Sequence, residues 1–317
     1  MKKAALAVTP IFVLLFSIMT GVFLVELVTA NPVPPEFLPF ITINSNGTVI
    51  PETEFITQNG SIYTLTANIS QEYTLAIECS NIVFDGAGHS INCSKGGYSN
   101  TGVSLMRVTN VTVQDIEVVS DNYRAIYLRS CSNCTILGVN TAEKDVYLLY
   151  SNFSTIAESN IAIGLDSSND NRIFRNNITE MHIAGFELDV CGCNSNIFYE
   201  NNIYCTNLSL TLEAPASSYL FDSANFWDNG SIGNYWSNYL TKYPTAKEIG
   251  TSGIGDTSYV IDLNNIDHHP LMQPVDISKA SPAVPLLIIA VVVVVVIAAV
   301  LLFAYKARAK GTKNQTN

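Results

Sequence analysis

Glu187 and Asp189 stand two residues apart in a strand-like stretch, so in a β-strand their side chains leave the same face. Two carboxylates on one face are what acid–base cleavage of a glycosidic bond uses, and their separation sets the mechanism. Asp115, Asp166 and Asp170 are further acids at outward positions, with Arg124, Arg129, Arg172 and Arg175 close by in sequence. A solvated polar face explains the same residues, and none of these sets forms a pectin-hydrolase signature. Aromatic chemistry is concentrated elsewhere. Trp227, Tyr235, Trp236 and Tyr239, with Phe226, crowd into one irregular segment containing Asn and Gly. Such rings either stack on sugars or plug the end of a hydrophobic core.

The elements that must position these residues are written as a repeat. A triplet with a strand-like pattern returns as Val103-Ser104-Leu105, Ile126-Tyr127-Leu128, Val146-Tyr147-Leu148, Ile163-Gly164-Leu165 and Phe186-Glu187-Leu188, at intervals of 23, 20, 17 and 23 residues. A second strand-like piece follows each triplet, and Asn110, Asn133, Asn152, Asn171 and Asn194 mark the corners between them. Two short strands cannot bury an apolar face alone. Successive units stacked in parallel, at about 4.8 Å per coil, bury their inward rows in one continuous core. The expectation is an all-β chain folded as a right-handed parallel β-helix, the hand following from strand and crossover chirality. Asn suits the corners because it tolerates the left-handed region and hydrogen-bonds to nearby backbone.

The two ends differ from everything between them. Residues 1–30 read as a signal peptide: Met1-Lys2-Lys3, an apolar run from Ala4 to Val25, and a Val28-Thr29-Ala30 cleavage pattern. Val284 to Tyr305 is 22 residues without a charge, long enough to span a bilayer as a helix. Lys306, Arg308, Lys310 and Lys313 in the tail (306–317) place the C-terminus on the cytoplasmic side and the rest at the cell surface. Residues 31–279 carry 10 Lys/Arg against 26 Asp/Glu, a formal charge of −16. Such a surface repels phosphate backbones and argues against a nucleic-acid partner. N-x-S/T sequons begin at Asn46, Asn59, Asn68, Asn92, Asn110, Asn133, Asn152, Asn177, Asn207 and Asn229, in the exported part, and make it a candidate glycoprotein. Seven cysteines lie there too, with Cys131-x-x-Cys134 readable as a redox or metal pair or as small apolar residues in the stack.

The organisation expected is a Pro-rich linker and N-terminal β cap over 31–73, coils over 74–220, and an aromatic, Gly/Asp-rich C-terminal cap over 221–275. A linker over 276–283 then leads to the membrane helix.

DGAGHSI (Asp85–Ile91), the Asn-punctuated coils and the ordered ending GNYWSNY…GIGDTSYVID…IDHHPLM resemble the NosD-like right-handed β-helix proteins of the archaeal cell-surface type. These sit among the carbohydrate-binding and sugar-hydrolysis β-helices, and the resemblance covers about residues 41–275. It implies copper or calcium. Copper wants imidazole and thioether ligands, for which His268 and His269 with Met272, or Met181-His182, are the candidates. For calcium, Asp256, Asp262 and Asp267 are the candidate oxygens, yet the acidic run typical of relatives before this point reads Glu248-Ile249-Gly250-Thr251-Ser252-Gly253 here. That leaves chiefly Asp256 from the cluster, and turn formation is the better explanation of Asp262 and Asp267. The functional expectation is a membrane-anchored extracellular protein for glycan recognition, adhesion or cell-envelope structure, without catalysis. Its partners would be envelope or extracellular glycans and the membrane. The alternatives are a polysaccharide lyase or glycoside hydrolase on the same fold, and a metal-binding surface protein.

Overall fold

A computed structural model describes residues 40–70, 74–93, 101–121, 124–184, 192–204 and 223–277. The expected signal segment (1–30), membrane helix (284–305) and basic tail lie outside the described residues. Among the described residues no helix is long and apolar enough to cross a membrane.

The described chain is a three-sided stack of parallel strands. The first side holds Phe40–Ile43, Thr74–Ile77, Val103–Met106, Arg124–Arg129 and the later halves of Asn140–Leu149, Asn160–Asp166 and Asn177–Ala184. The second side runs from Ile62–Leu65 through Ile82–Asp85, Val111–Gln114, Thr135–Leu137, Thr155–Ala157 and Arg172–Phe174 to Ile197–Tyr199. The third side begins with Ile69–Ser70, Ser90–Asn92 and Glu117–Val119. It continues in Asn140, Asn160, Asn177 and Asn202, where it runs directly into the next first-side strand.

Alternation decides which side chains enter. On the first side Ile41, Leu75, Val103, Ile126, Val146, Ile163 and Met181 stack in register, and on the second Tyr63, Phe84, Val113, Ile136, Ile156, Ile173 and Phe198. All are buried, each worth roughly 1.5–3 kcal/mol relative to exposure. No single coil can do this without its neighbours, which is why the repeat must stack.

The register corrects three expectations. The fifth triplet is Met181-His182-Ile183, opposite Ile163-Gly164-Leu165, and not Phe186-Glu187-Leu188. The stack also starts earlier than residue 74: Phe40–Ile43 already pairs in parallel with Thr74–Ile77, and Ile62–Leu65 with the strand starting at Ile82. The N-terminal cap is thus a first coil carrying two antiparallel arms, Val49–Ile50 and Ile56–Asn59. Finally, Asn110 and Asn133 do hold the left-handed corner at φ 55° and 54°, but in later coils that place falls to Phe153, Asp170 and Ser195.

Asn152, Asn171 and Asn194 do different work. Asn171 is fully buried, one member of a row built from inward corner positions: Val111, Cys134, Ser154, Asn171, Asn196, Asn225 and Asn265. Asn171 Oδ1 accepts the Ser154 amide, Asn196 Oδ1 that of Asn171, Asn225 Oδ1 that of Asn196, and Asn265 Oδ1 that of Asn225, at 2.8–3.1 Å. A second row runs Val139, Ser159, Asn176, Asn201, Asn234 and Asp267 in the same way. The Nδ2 groups of Asn171, Asn176, Asn196, Asn201 and Asn234 also donate to main-chain carbonyls, Asn201 to Ile173 and Asn234 to Phe198. These amides close the polar backbone at corners where no strand partner is available. Asn152 and Asn194 lie on the outer side of the same turn, accepting the Asn169 and Ala224 amides.

The last coil is sealed by a stack of rings. Trp227 lies on Phe198 (centroids 4.5 Å), Trp236 tilts against Trp227 (5.5 Å) and Tyr259 stacks on Trp236 (4.0 Å). A one-turn helix (Tyr239–Lys242) and the antiparallel pair Tyr259–Val260 and Ile266–Asp267 complete the cap.

Candidate functional site

The outer face of the first side gathers polar and aromatic side chains over four coils. Because Ile126, Leu128, Val146 and Leu148 point inward, Tyr127 and Tyr147 between them must point out. Three columns follow from the pairing: Arg124, Asp145 and Ala162; Tyr127, Tyr147, Gly164 and His182; Arg129, Leu149, Asp166 and Ala184.

Arg124 stands over both tyrosines, its guanidinium carbon 4.1 Å from the Tyr147 ring centre and 4.9 Å from that of Tyr127. The rings are 6.1 Å apart and tilted by 48°. The Tyr147 ring lies across Gly164, where an added Cβ would come within 2.3 Å of Cδ2. Glycine is required there by the close approach. The Tyr147 hydroxyl donates to Asp166 Oδ2 at 3.3 Å, and Ser167 Oγ donates to Asp166 Oδ1 at 3.0 Å. Burial, with the neighbouring Asp166 carboxylate, pushes the Tyr147 hydroxyl up to about 12, so it remains a donor at any physiological pH.

Asp145 is almost fully buried beside this group. Burial pushes its carboxyl up to about 6, while the charges of His182, Arg124 and Lys144 oppose the rise and Glu180 adds to it. His182 Nε2 is 3.2 Å from Glu180 Oε1. The face therefore offers half-exposed aromatic rings, a guanidinium over them, and carboxyl groups at both ends. Ring stacking combined with charged hydrogen-bond donors and acceptors is chemistry that suits a polyhydroxylated ring.

The residues singled out from sequence scatter. Glu187 and Asp189 lie outside the described residues. Asp166 is on the first-side face, but Asp115 and Asp170 sit at two different corners with left-handed φ of 48° and 57°. Arg172 donates to Tyr199 on the second side, and Arg175 lies between Glu158 and Glu200 at 3.6 and 3.9 Å. Among the described residues these acids form no single cluster. Arg124 was near the mark only by proximity, whereas Tyr127, Asp145, Tyr147 and His182 were missed. The signal for the tyrosines was the middle position of each triplet, which must face outward; His182 needed the corrected register.

The aromatic segment is a plug rather than a sugar platform. Trp227 and Trp236 are 1% exposed and Tyr239 2%, so none presents a face to a ligand. Tyr235 alone is half-buried, edge-on to the exposed Tyr204.

The candidate metal ligands do not converge. Asp256 accepts the Lys247 amide and the Thr257 hydroxyl, and the Lys247 amide holds its carboxyl below the ordinary value. Asp262 accepts from Asn264 and Asn265. Asp267 ends the second amide row, its oxygens taken by the Asn234 and His269 amides and the Trp236 indole. The His268 amide donates to Asp228, and His269 Nδ1 lies 3.4 Å from the same carboxylate. Met181 is buried in the core while His182 points outward, so that pair diverges as strand neighbours must. Among the described residues no three His, Cys, Asp or Glu side chains come together to hold a metal ion. The described donor set, scattered in this way, does not assemble a copper site. Cys131 and Cys134 are buried thiols at inward corners, and the contact with Cys131, together with burial, raises the Cys134 thiol far above its ordinary range.

Of the sequon asparagines, Asn46, Asn59, Asn68, Asn110, Asn133 and Asn229 are exposed, Asn92, Asn152 and Asn177 are half-buried, and Asn207 lies outside the described residues. The Asn177 amide is engaged on both sides, donating to Asn160 at 2.6 Å and accepting from Asn202 at 2.8 Å.

A family model described as "Periplasmic copper-binding protein (NosD)" matches residues 40–241. No curated protein and no solved structure matches the chain.

Proposed function

We propose that this chain, which belongs to the NosD family by a match over residues 40–241, is a cell-surface glycan-recognition protein that binds without turnover. It is anchored by the apolar run from Val284 to Tyr305. The observation that carries the reading is the Arg124–Tyr127–Tyr147 group, set between Asp145 and Asp166 on an outward strand face. Copper is named in the family's description, and this reading does not depend on it: among the described residues the candidate ligands do not converge. Adhesion or an envelope-building role would follow from the same contact, the ligand being a polysaccharide of the envelope or its surroundings.

The test is a polysaccharide panel presented to the purified full-length protein in detergent, scored for both retention and released sugar. Saturable binding that is lost in Tyr127→Ala and Arg124→Ala, with no product, is the expected result. Retention by no polysaccharide would overturn the glycan reading, and oligosaccharide release would overturn its non-catalytic part.

A further inference from the structure

One coil is shorter than its neighbours, and the difference falls at a single corner. Between the third and first sides Asn140 pairs with Asn160 and Asp145 with Ala162, so five residue steps in one coil match two in the next. On the other flank Ile161 and Ile163 face Ile178 and Met181, two steps against three. The short coil therefore takes the inside path between two that bulge. Ala142 and Glu143 make the larger bulge, both in the left-handed region at φ 48° and 67°. What remains over Asn160 and Ile161 is a notch of about 410 Å³, walled by Ala142 and Glu143 on one side and by Thr179 and Tyr204 on the other. That volume is within the range of small-ligand sites.

An outer row of amides ends in this notch. Asn202 Nδ2 donates to Asn177 Oδ1 at 2.8 Å, and Asn177 Nδ2 to Asn160 Oδ1 at 2.6 Å. The next step is missing, because Asn140 Oδ1 instead accepts the Ala142 amide at 3.2 Å and so starts the bulge. Asn160 Nδ2 is left as the last donor of the row, with no partner among the described residues. Glu143 is exposed and brings a carboxylate acceptor, and Tyr204, 42% exposed, brings a ring.

We infer that this notch is a second subsite of the glycan site, holding one uncharged sugar residue of a chain that also lies on Tyr127 and Tyr147. A free donor, a carboxylate acceptor and an aromatic edge suit the hydroxyls and apolar face of a sugar ring. The exposed charges at the two bulges are Glu143 and Glu180, with Glu117 at the head of the row, against a half-buried Lys144. A uronate would meet like charge there. Ile161 stands three residues before Gly164, across which the Tyr147 ring lies, or about 10 Å along the strand. An oligosaccharide can touch both places, and a single sugar ring cannot.

This inference rests on the glycan reading, and the experiment separates the two. Full-length protein in detergent is titrated calorimetrically with neutral gluco-, manno- and galacto-oligosaccharides, from single sugars to hexasaccharides, and with oligogalacturonates of the same lengths. Affinity for a neutral series should rise with length. Asn160→Asp keeps the acceptor for Asn177 and removes only the free donor, and Tyr204→Ala removes the ring. Each should weaken binding of the longer neutral chains about three- to tenfold without changing the melting curve. Glu143→Gln should narrow the preference for neutral chains over oligogalacturonates. Notch variants that bind like the unaltered protein, while Tyr127→Ala does not, overturn the subsite and leave the glycan reading intact. Oligogalacturonate bound more tightly than every neutral chain overturns the uncharged assignment. A glycan attached covalently at Asn177, whose sequon borders the notch, would fill it and overturn the subsite as well. Binding of none of these oligosaccharides to the unaltered protein overturns the reading and the subsite together.

Discussion

The early and late coils share one outline but close their corners with opposite chemistry. At the inward corners the early coils use Val108, Val111 and Ile116, the middle ones Cys131, Cys134 and Val139, then Ser151, Ser154 and Ser159. The late coils use Asn171 and Asn176, then Asn196 and Asn201, then Asn225 and Asn234. An apolar corner is indifferent to a neighbour of slightly different shape. An amide corner is directional, since each oxygen must meet the backbone amide of the coil before it, as Asn201 meets Asn176, while the nitrogen must meet a main-chain carbonyl of that coil and the side-chain oxygen of the next. The late half is therefore specified residue by residue, whereas the early half needs only to be hydrophobic and of the right volume.

Cutting one amide row should do the most damage. Asn201→Ala leaves the Asn176 amide and the Ile173 carbonyl, both buried, without their partners. The expected loss is about 2–6 kcal/mol, at about 1–3 kcal/mol for each of the two groups, read from denaturant unfolding. A loss no larger than that of an ordinary surface change would mean that the rows are ornament to the apolar stack.

The acid that ends the second row should give stability a pH slope. Burial raises Asp267 from 3.8 to about 6, and Asp145 likewise. The native state then holds protons between pH 4 and 6 that the unfolded chain has released. Stability from these groups is full below about 4 and is lost as pH rises through about 6, on the order of 2–3 kcal/mol for Asp267. In Asp267→Asn the corresponding part of the slope should vanish. Melting curves at several pH values decide this, and an unchanged slope would assign the proton to another group.

Gly164→Ala probes the junction where serine corners give way to asparagine. The new methyl would stand 2.3 Å from the Tyr147 ring, which must swing away and release Asp166. A cost of about 1–3 kcal/mol is expected, with glycan binding lost at temperatures where the protein remains folded. Retained binding would detach the tyrosine from recognition.

The smallest effect belongs to the early half. Ile116→Val, at the corner equivalent to Asn201's row, should cost about 0.5–1.5 kcal/mol. A larger cost than that of Asn201→Ala would reverse the contrast between the halves.

Much of the fold was legible because inward strand positions must be apolar. Four of the five triplets stand in register as read, and stacking follows from them. The fifth slipped because Met181-His182-Ile183 and Phe186-Glu187-Leu188 fit the alternation equally, and only pairing decides between them. The asparagines misled for a related reason. Asn133 at a left-handed corner and Asn171 inside the coil are the same letter, and what separates them is which way the turn faces. The tryptophans announced an aromatic cluster without disclosing that both are sealed inside. The site was the least visible part, since Arg124, Tyr147 and Asp166 belong to three successive coils and meet only once those coils are stacked.

The amide rows behave like a polymer with a repeating unit and an end group. Asparagine, with an acceptor on one side and a donor on the other, can always be followed by another asparagine. Asp267, ionised, only accepts, and no further unit can be added behind it. Nothing between the first serine and that terminator fixes how many units there are. Whole turns could be duplicated or deleted in the course of evolution with both closures kept intact, so the reach of such a protein is adjustable in steps of one turn.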